Sequence, residues 1–380
     1  MSTPAPTIRR AAIGAGVAVW LAMTAALVGV ASAHTLSDGY VELATDRATV
    51  RGRVDLAARD LHDALGLDDG DGRLRWAEVT AHDAAIRAYV TDRIRLSTAA
   101  GPCPLTAGAL TALDRADGTH VAIAVTARCA GAAEPLTVDY RALFDVDATH
   151  RGLLRLDGAH GTAAAIARAP GPVTLDGGAG VSVLGFVREG VWHIWIGLDH
   201  ILFLVALLLP AVYSSSRQPA RRRAWVPADD FRTVLRDVLE IVTAFTLAHS
   251  ITLVVSTVGW LRLPPRFIET AIAVSVALAA ANNLVRVVDA RWAVAFALGL
   301  VHGFGFSNVL ADLGLPGDGL VAALLGFNLG VEIGQAAIVL AFLPLAYALR
   351  RTAAYRVALV TGSAATCLLA MHWSLDRLTT

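Results

Sequence analysis

Six side chains able to hold a transition metal stand in the otherwise apolar second half of the chain: His193, Asp199, His200, His249, His302 and Glu332. Imidazole suits Zn, Cu, Fe and Ni, and a carboxylate can complete or orient such a ligand set. Ionisable groups inside a membrane span are costly, so finding them there points to function. Polar neighbours support them: Ser250 beside His249, and Asn328 and Gln335 flanking Glu332. Two kinds of chemistry are open to this set. One is reversible binding of a metal ion that is then passed on; the other is activation of a metal-bound water.

Such residues need a scaffold. Six apolar stretches, at 191–212, 236–259, 266–288, 292–313, 320–349 and 355–373, each approach or exceed the ~20 residues that cross a bilayer. The loops between them alternate in charge. Arg217, Arg221, Arg222, Arg223 and Arg232 fall in the first, Arg286 and Arg291 in the third, and Arg350, Arg351 and Arg356 in the fifth. Arginine-rich loops stay in the cytoplasm, which places the start of the first span outside.

On straight helices, His200, His249, His302 and Glu332 lie at one depth, about 14–18 Å below the outer surface at 1.5 Å per residue. His193 and His200, seven residues apart, would share a helix face two turns from each other. A single histidine in a span is as readily a hydrogen-bonding link between helices. The matched depth on four helices favours a shared site. Gly197, Gly303, Gly305, Gly330 and Gly334 surround these positions, and close helix packing is reason enough for them.

Ahead of the spans lies a region of ordinary soluble composition, residues 34–175, preceded by a signal peptide at 1–33. Arg9 and Arg10 form its basic start, Ala11 to Val30 its apolar stretch, and Ala31-Ser32-Ala33 its cleavage site. Cleavage would expose His34 as the N-terminal residue, either solvated or holding a metal through its amine and imidazole. Alternation over 40–56 around a Thr45-Asp46-Arg47 turn, and strand-like runs near 93–97, 120–128, 136–140 and 152–156, indicate about six short strands. They form a small β-rich, sandwich-like exported domain. Trp76, Val79, Ile86 and Val90 recur at helical spacing and mark a helical insertion.

In an oxidising compartment Cys103 and Cys129 are expected to pair. Asp69, Asp71, Gly72 and Glu78 match positions of a calcium loop whose first position, Leu67, cannot ligate. Calcium would need Asp68 as a substitute; an acidic turn that caps a helix is preferred.

The whole is a mixed fold: a polytopic all-α membrane domain of about six transmembrane helices, residues 185–373, after the exported β-rich domain. Only 17% of residues are charged, against about 25% in soluble chains. A net charge of zero gives no basic excess for nucleic acid. A phosphate-binding G-x-x-x-x-G-K-[ST] loop is absent, which argues against ATP-driven pumping by this chain alone.

Four segments carry a resemblance: His193-Ile-Trp-Ile-Gly197-Leu-Asp199-His200, Phe245-Thr-Leu-Ala-His249-Ser250-Ile-Thr252, His302-Gly-Phe-Gly-Phe306, and Phe327-Asn328-Leu-Gly-Val-Glu332-Ile-Gly-Gln335. Over about residues 185–373 the chain resembles the HupE/UreJ family, membrane proteins associated with hydrogenase and urease maturation and described as nickel permeases. His193, Gly197, Asp199 and His200 match that family's histidine-x4-glycine-x-aspartate-histidine element. The chain looks like a longer subfamily with an exported N-terminal domain. The resemblance implies a multi-pass cell-membrane protein that is a permease or facilitator rather than an enzyme. Its substrate would be nickel, with zinc or cobalt as alternatives, and its partners the lipid bilayer and the ion. An intramembrane metal-dependent hydrolase and a metal-sensing or assembly protein stay open beside it.

Overall fold

The computed structural model describes residues 37–69, 74–115, 118–178, 181–215 and 225–379. The signal segment, His34, Asp71, Gly72, Arg217 and Arg221–Arg223 lie outside the described residues. The chain forms two compact units. One is the described part of His34–Gly185 together with Val309–Leu325; the other contains Phe186–Asn308 and Gly326–Thr380.

The first unit is β-rich. Strands β1 (Asp38–Asp46) and β2 (Thr49–Ala57) make an antiparallel hairpin with Val41 opposite Val54 and Leu43 opposite Gly52. Three helices follow: α1 (Ala58–Leu65), α2 (Trp76–Ala81) and α3 (Asp83–Arg93). Then come β3 (Ile94–Thr98), β4 (Gly101–Cys103), β5 (Leu105–Arg115), β6 (Gly118–Arg128), β7 (Leu136–Tyr140), β8 (Arg151–Gly158), β9 (Gly161–Ala167) and β10 (Gly171–Leu175). They build a six-stranded sheet, ordered β5-β6-β2-β1-β8-β9, and a four-stranded sheet, ordered β10-β7-β3-β4. Only the β1–β8 pairing in these sheets is parallel. Val54, Leu56, Ile123 and Leu156 of the larger sheet share one core with Ile94, Leu136 and Val138 of the smaller and with Leu61, Ile86 and Val90 of the helices.

Among the described residues of this unit there are ten strands where about six were expected. β5 (LTAGALTALDR) and β9 (GTAAAIA) are rich in alanine and poor in the β-branched and aromatic residues that announce a strand. Their conformation comes from pairing with β6 and β8. The helical insertion also begins earlier, at α1.

The second unit is helical. It contains α4 (Val183–Ile196) from Phe186 onward, α5 (Leu198–Leu208), a short β11 (Tyr213–Ser215) and β12 (Trp225–Pro227) hairpin, α6 (Phe231–Thr257), α7 (Pro265–Val285) and α8 (Arg291–His302). A 3-10 turn at Gly303–Phe306 then leads into α9 (Ser307–Asp312) and α10 (Gly317–Leu349), whose residues Val309–Leu325 belong to the first unit, and the helical unit resumes at Gly326 and ends with α11 (Ala353–Thr379). Among the described residues, five helical segments are long and apolar enough to cross a membrane, and up to six if α4 and α5 together make one span. On α6, Leu239, Leu247, Ile251 and Val254 are exposed while His249, Thr252 and Ser256 are buried. A water-soluble helix does the reverse; an apolar outside around a polar inside is what lipid demands.

The first span departs from expectation. It is not one straight helix over 191–212 but α4 and α5 meeting at 71° across Gly197. Depth counted along a straight helix therefore does not apply to His200, and His193 and His200 do not share one helix face.

Candidate metal centre

The break at Gly197 creates the centre. On a continuous helix, residues seven apart are separated by ~10 Å along the axis. Here the His193 and His200 rings are 4.4 Å apart, because the chain turns between them. Gly197 is extended (φ −73°, ψ 96°) and starts α5. Asp199, in the first turn of α5, accepts from the His200 backbone N–H (2.9 Å) and lies 3.0 Å from His200 Nδ1. That contact fixes the ring: Nδ1–H donates to the carboxylate, and Nε2 keeps its lone pair.

Two further helices complete the cluster. His249 of α6 and His302, the last residue of α8, are both fully buried. The His249 ring lies 6.0 Å from that of His193 and 6.4 Å from that of His200, while His302 lies 4.9 Å from His200. Two sets of potential ligands result, His193/His200/His249 and Asp199/His200/His302, each with its ligand atoms within 4.8 Å of one another. Three nitrogens around a tetrahedral zinc-like ion stand roughly 3.3 Å apart when each bond is ~2.0–2.1 Å. Small side-chain rotations bridge the difference. His200 belongs to both sets.

Hydrogen bonding separates these histidines from ordinary links between helices. His200 Nε2, both ring nitrogens of His249, and His302 Nδ1 are buried without a hydrogen-bond partner among the described residues. Buried polar atoms are rarely left so, since each costs about 1–3 kcal/mol. Asn283 shows the contrast: its amide donates to the Ala206 carbonyl (2.7 Å) and to Ser363 Oγ (3.0 Å), joining three helices. Nitrogen lone pairs gathered within 4.8 Å of one another fit a metal ion. Nitrogen donors with one carboxylate suit Ni, Co or Zn better than Ca or Mg.

Aromatic rings wall the cluster. Phe203 and Phe245 pack against His302 at 4.7 and 5.5 Å between centroids. Phe306 and Phe327 stack on each other at 4.2 Å, and both touch His193.

The other expected site residues fall elsewhere. Glu332 is exposed on α10 and belongs to neither ligand set. Ser250 donates to Asn328 (2.8 Å) and Thr246 to Gln335 (3.0 Å), tying α6 to α10 beside the centre. One residue of the centre had no signal in the sequence: Ser275 of α7 is buried with its Oγ 2.9 Å from His302 Nε2.

In the β-rich unit, Cys103 and Cys129 are disulfide-bonded, with Cα atoms 4.4 Å apart. The carboxylate of Glu78 accepts from the Arg75 N–H (2.6 Å) and the Asp69 N–H (3.2 Å), while Asp68 lies 3.7 Å from His62. Glu78 thus caps α2.

Two comparisons bear on these features. A family model described as HupE / UreJ protein matches residues 172–377, more than half of the chain. No curated protein matches.

Proposed function

Because the chain belongs to the HupE/UreJ family, we propose that it is a permease or facilitator for a divalent transition metal ion, nickel first, with cobalt and zinc as the alternatives. The ion is its substrate, bound at His193, His200, His249 and His302, with Asp199 orienting His200. The carrying observation is that the buried imidazole nitrogens of His200, His249 and His302 that have no hydrogen-bond partner among the described residues come together from three helices. Neutral imidazole binds such an ion reversibly, as passage requires. The ion sheds water for nitrogen ligands inside the aromatic wall. Two overlapping sets that share His200 let it change ligands stepwise, without being released into an apolar interior. Asp199, and Glu332 on α10, are the carboxylates available for charge balance.

The test is Ni2+ or Co2+ uptake into proteoliposomes holding the purified protein. Metal-dependent uptake that is lost in His249→Ala supports the reading. Cleavage of lipid or peptide with no uptake would replace it with an intramembrane metallohydrolase using the same residues.

A further inference from the structure

The environment of His302 assigns a role to a residue outside both ligand sets. Ser275 is buried on α7, and its hydroxyl lies 2.7 Å from the Ile272 carbonyl one turn earlier and 2.9 Å from His302 Nε2. A hydroxyl has one proton and two lone pairs. A carbonyl oxygen can only accept, so at 2.7 Å from Ile272 O the Ser275 proton belongs on that contact. Ser275 Oγ is then an acceptor toward the ring, and His302 carries its proton on Nε2. The opposite tautomer would set two proton-free oxygens 2.7 Å apart. It would also leave an N–H at Nδ1, which is buried without a hydrogen-bond partner among the described residues. A buried donor without an acceptor costs about 1–3 kcal/mol.

We propose that Ser275 is a positioning residue for the substrate ion: by holding the proton on Nε2 of His302, it presents Nδ1 as that residue's ligand atom. Asp199 does the same for His200 with the opposite result, placing the proton on Nδ1 and presenting Nε2. The two rings thus offer different nitrogens, each the one opposite the nitrogen that its partner holds. Partners of this kind fix ring orientation and raise ligand basicity, and losing one typically costs 10–100-fold in metal affinity. The inference rests on the permease reading for the identity of the ligand, but the tautomer can be measured without it.

The experiment uses the full-length protein in detergent. Nitrogen-15 NMR of histidine-labelled, metal-free protein, with His302 assigned by the signal lost in His302→Gln, should show protonated Nε2 and bare Nδ1. Protonated Nδ1 overturns the proposal. Titration with Co2+ should then give 10–100-fold weaker binding and an altered d–d absorption band in Ser275→Ala, with Ser275→Thr restoring both. Equal Co2+ affinity in wild type and Ser275→Ala, with both folded by melting temperature, overturns the role of Ser275 and leaves the permease reading standing. Wild-type protein that binds neither Co2+ nor Ni2+ overturns both. If Ser275→Ala does not fold, the wild-type NMR and the Ser275→Thr affinity decide: bare Nδ1 with wild-type-like affinity supports the proposal, and either result reversed overturns it.

Discussion

His249 and Asn283 are both buried polar residues on membrane helices, yet their surroundings demand different outcomes on mutation. Both ring nitrogens of His249 lack a hydrogen-bond partner among the described residues, while the Asn283 amide has two. His249→Ala and His302→Ala should each abolish most metal binding, and the double variant should be little worse than either alone, because the ligands act as a unit. Asn283→Ala should keep metal binding and lose about 0.6–1.7 kcal/mol of stability. Bound metal and melting temperature, measured across the set, separate the two. The histidines were legible in the sequence because imidazole is rare and costly in an apolar span. Ser275 was not: a serine on a membrane helix ordinarily bonds back to its own backbone, as this one also does, so its type and spacing carry no signal. His150, in the β-rich unit, supplies a pH prediction. Ser37 donates to Asp60 (2.7 Å) and so accepts from His150 Nδ1 (2.5 Å), while the Tyr140 hydroxyl donates to Nε2 (2.7 Å). Burial outweighs the nearby Asp38 and Asp60 carboxylates and pushes this imidazole down to about 4. The unfolded chain takes up the proton first, near pH 6.5, so the contribution is full above that pH and is lost as pH falls from 6.5 through about 4. The loss is about 3 kcal/mol at 1.36 kcal/mol per pH unit. Hydrogen exchange of the β-rich unit in the full-length protein should rise over this window, and His150→Gln should flatten the rise.

Among the elements, the α4–α5 bend has the sharpest consequences. A Cβ on Gly197 would come within 2.7 Å of the His193 carbonyl and 2.8 Å of His200 Nδ1. Gly197→Ala therefore forces the His193 backbone and the His200 ring to shift at the bend. The expected result is at least tenfold weaker metal binding together with a lower melting temperature, and an unchanged affinity would remove the bend from the account of the site. Gly190 and Gly330 act differently. A Cβ on either would overlap the backbone of the opposite helix, at Phe327 or at Val187, because α4 and α10 cross there backbone to backbone. Gly190→Ala should cost about 1–3 kcal/mol by overpacking, read as a lower melting temperature. The spans were legible from length and apolarity, whereas the bend was not read. Its signal was nevertheless present: a glycine followed two residues later by an aspartate in a first helical turn is how a helix begins. β5 and β9 had no comparable signal, since alanine carries little information until a neighbouring strand claims it.

For the whole molecule, sidedness depends on that same bend. Arg291 donates to the Tyr213 carbonyl (2.7 Å), Arg350 to the Ala228 carbonyl (2.6 Å) and Tyr347 to the Asp229 carbonyl (2.6 Å). The segments preceding α6, preceding α8 and ending α10 therefore meet at one end of the helical unit, in keeping with their shared arginine content. If α4 and α5 together cross the membrane, the β-rich unit's chain enters from the opposite side. In a Cys367→Ser background, Ala99→Cys should react with an impermeant thiol reagent in intact cells, and Arg221→Cys only after lysis. Labelling of both from outside would make the pair re-entrant and leave five spans. The β-rich unit is also discontinuous in sequence, since Val309–Leu325 packs with it. Asp312 of that segment accepts from the Tyr40 hydroxyl (3.1 Å) and lies 3.8 Å from Arg115. A ribosome adding 5–20 residues per second reaches that segment roughly 6–25 s after Gly185. During that interval the unit waits for a piece of itself, so its assembly cannot be finished before the helix ending at His302 has been synthesised.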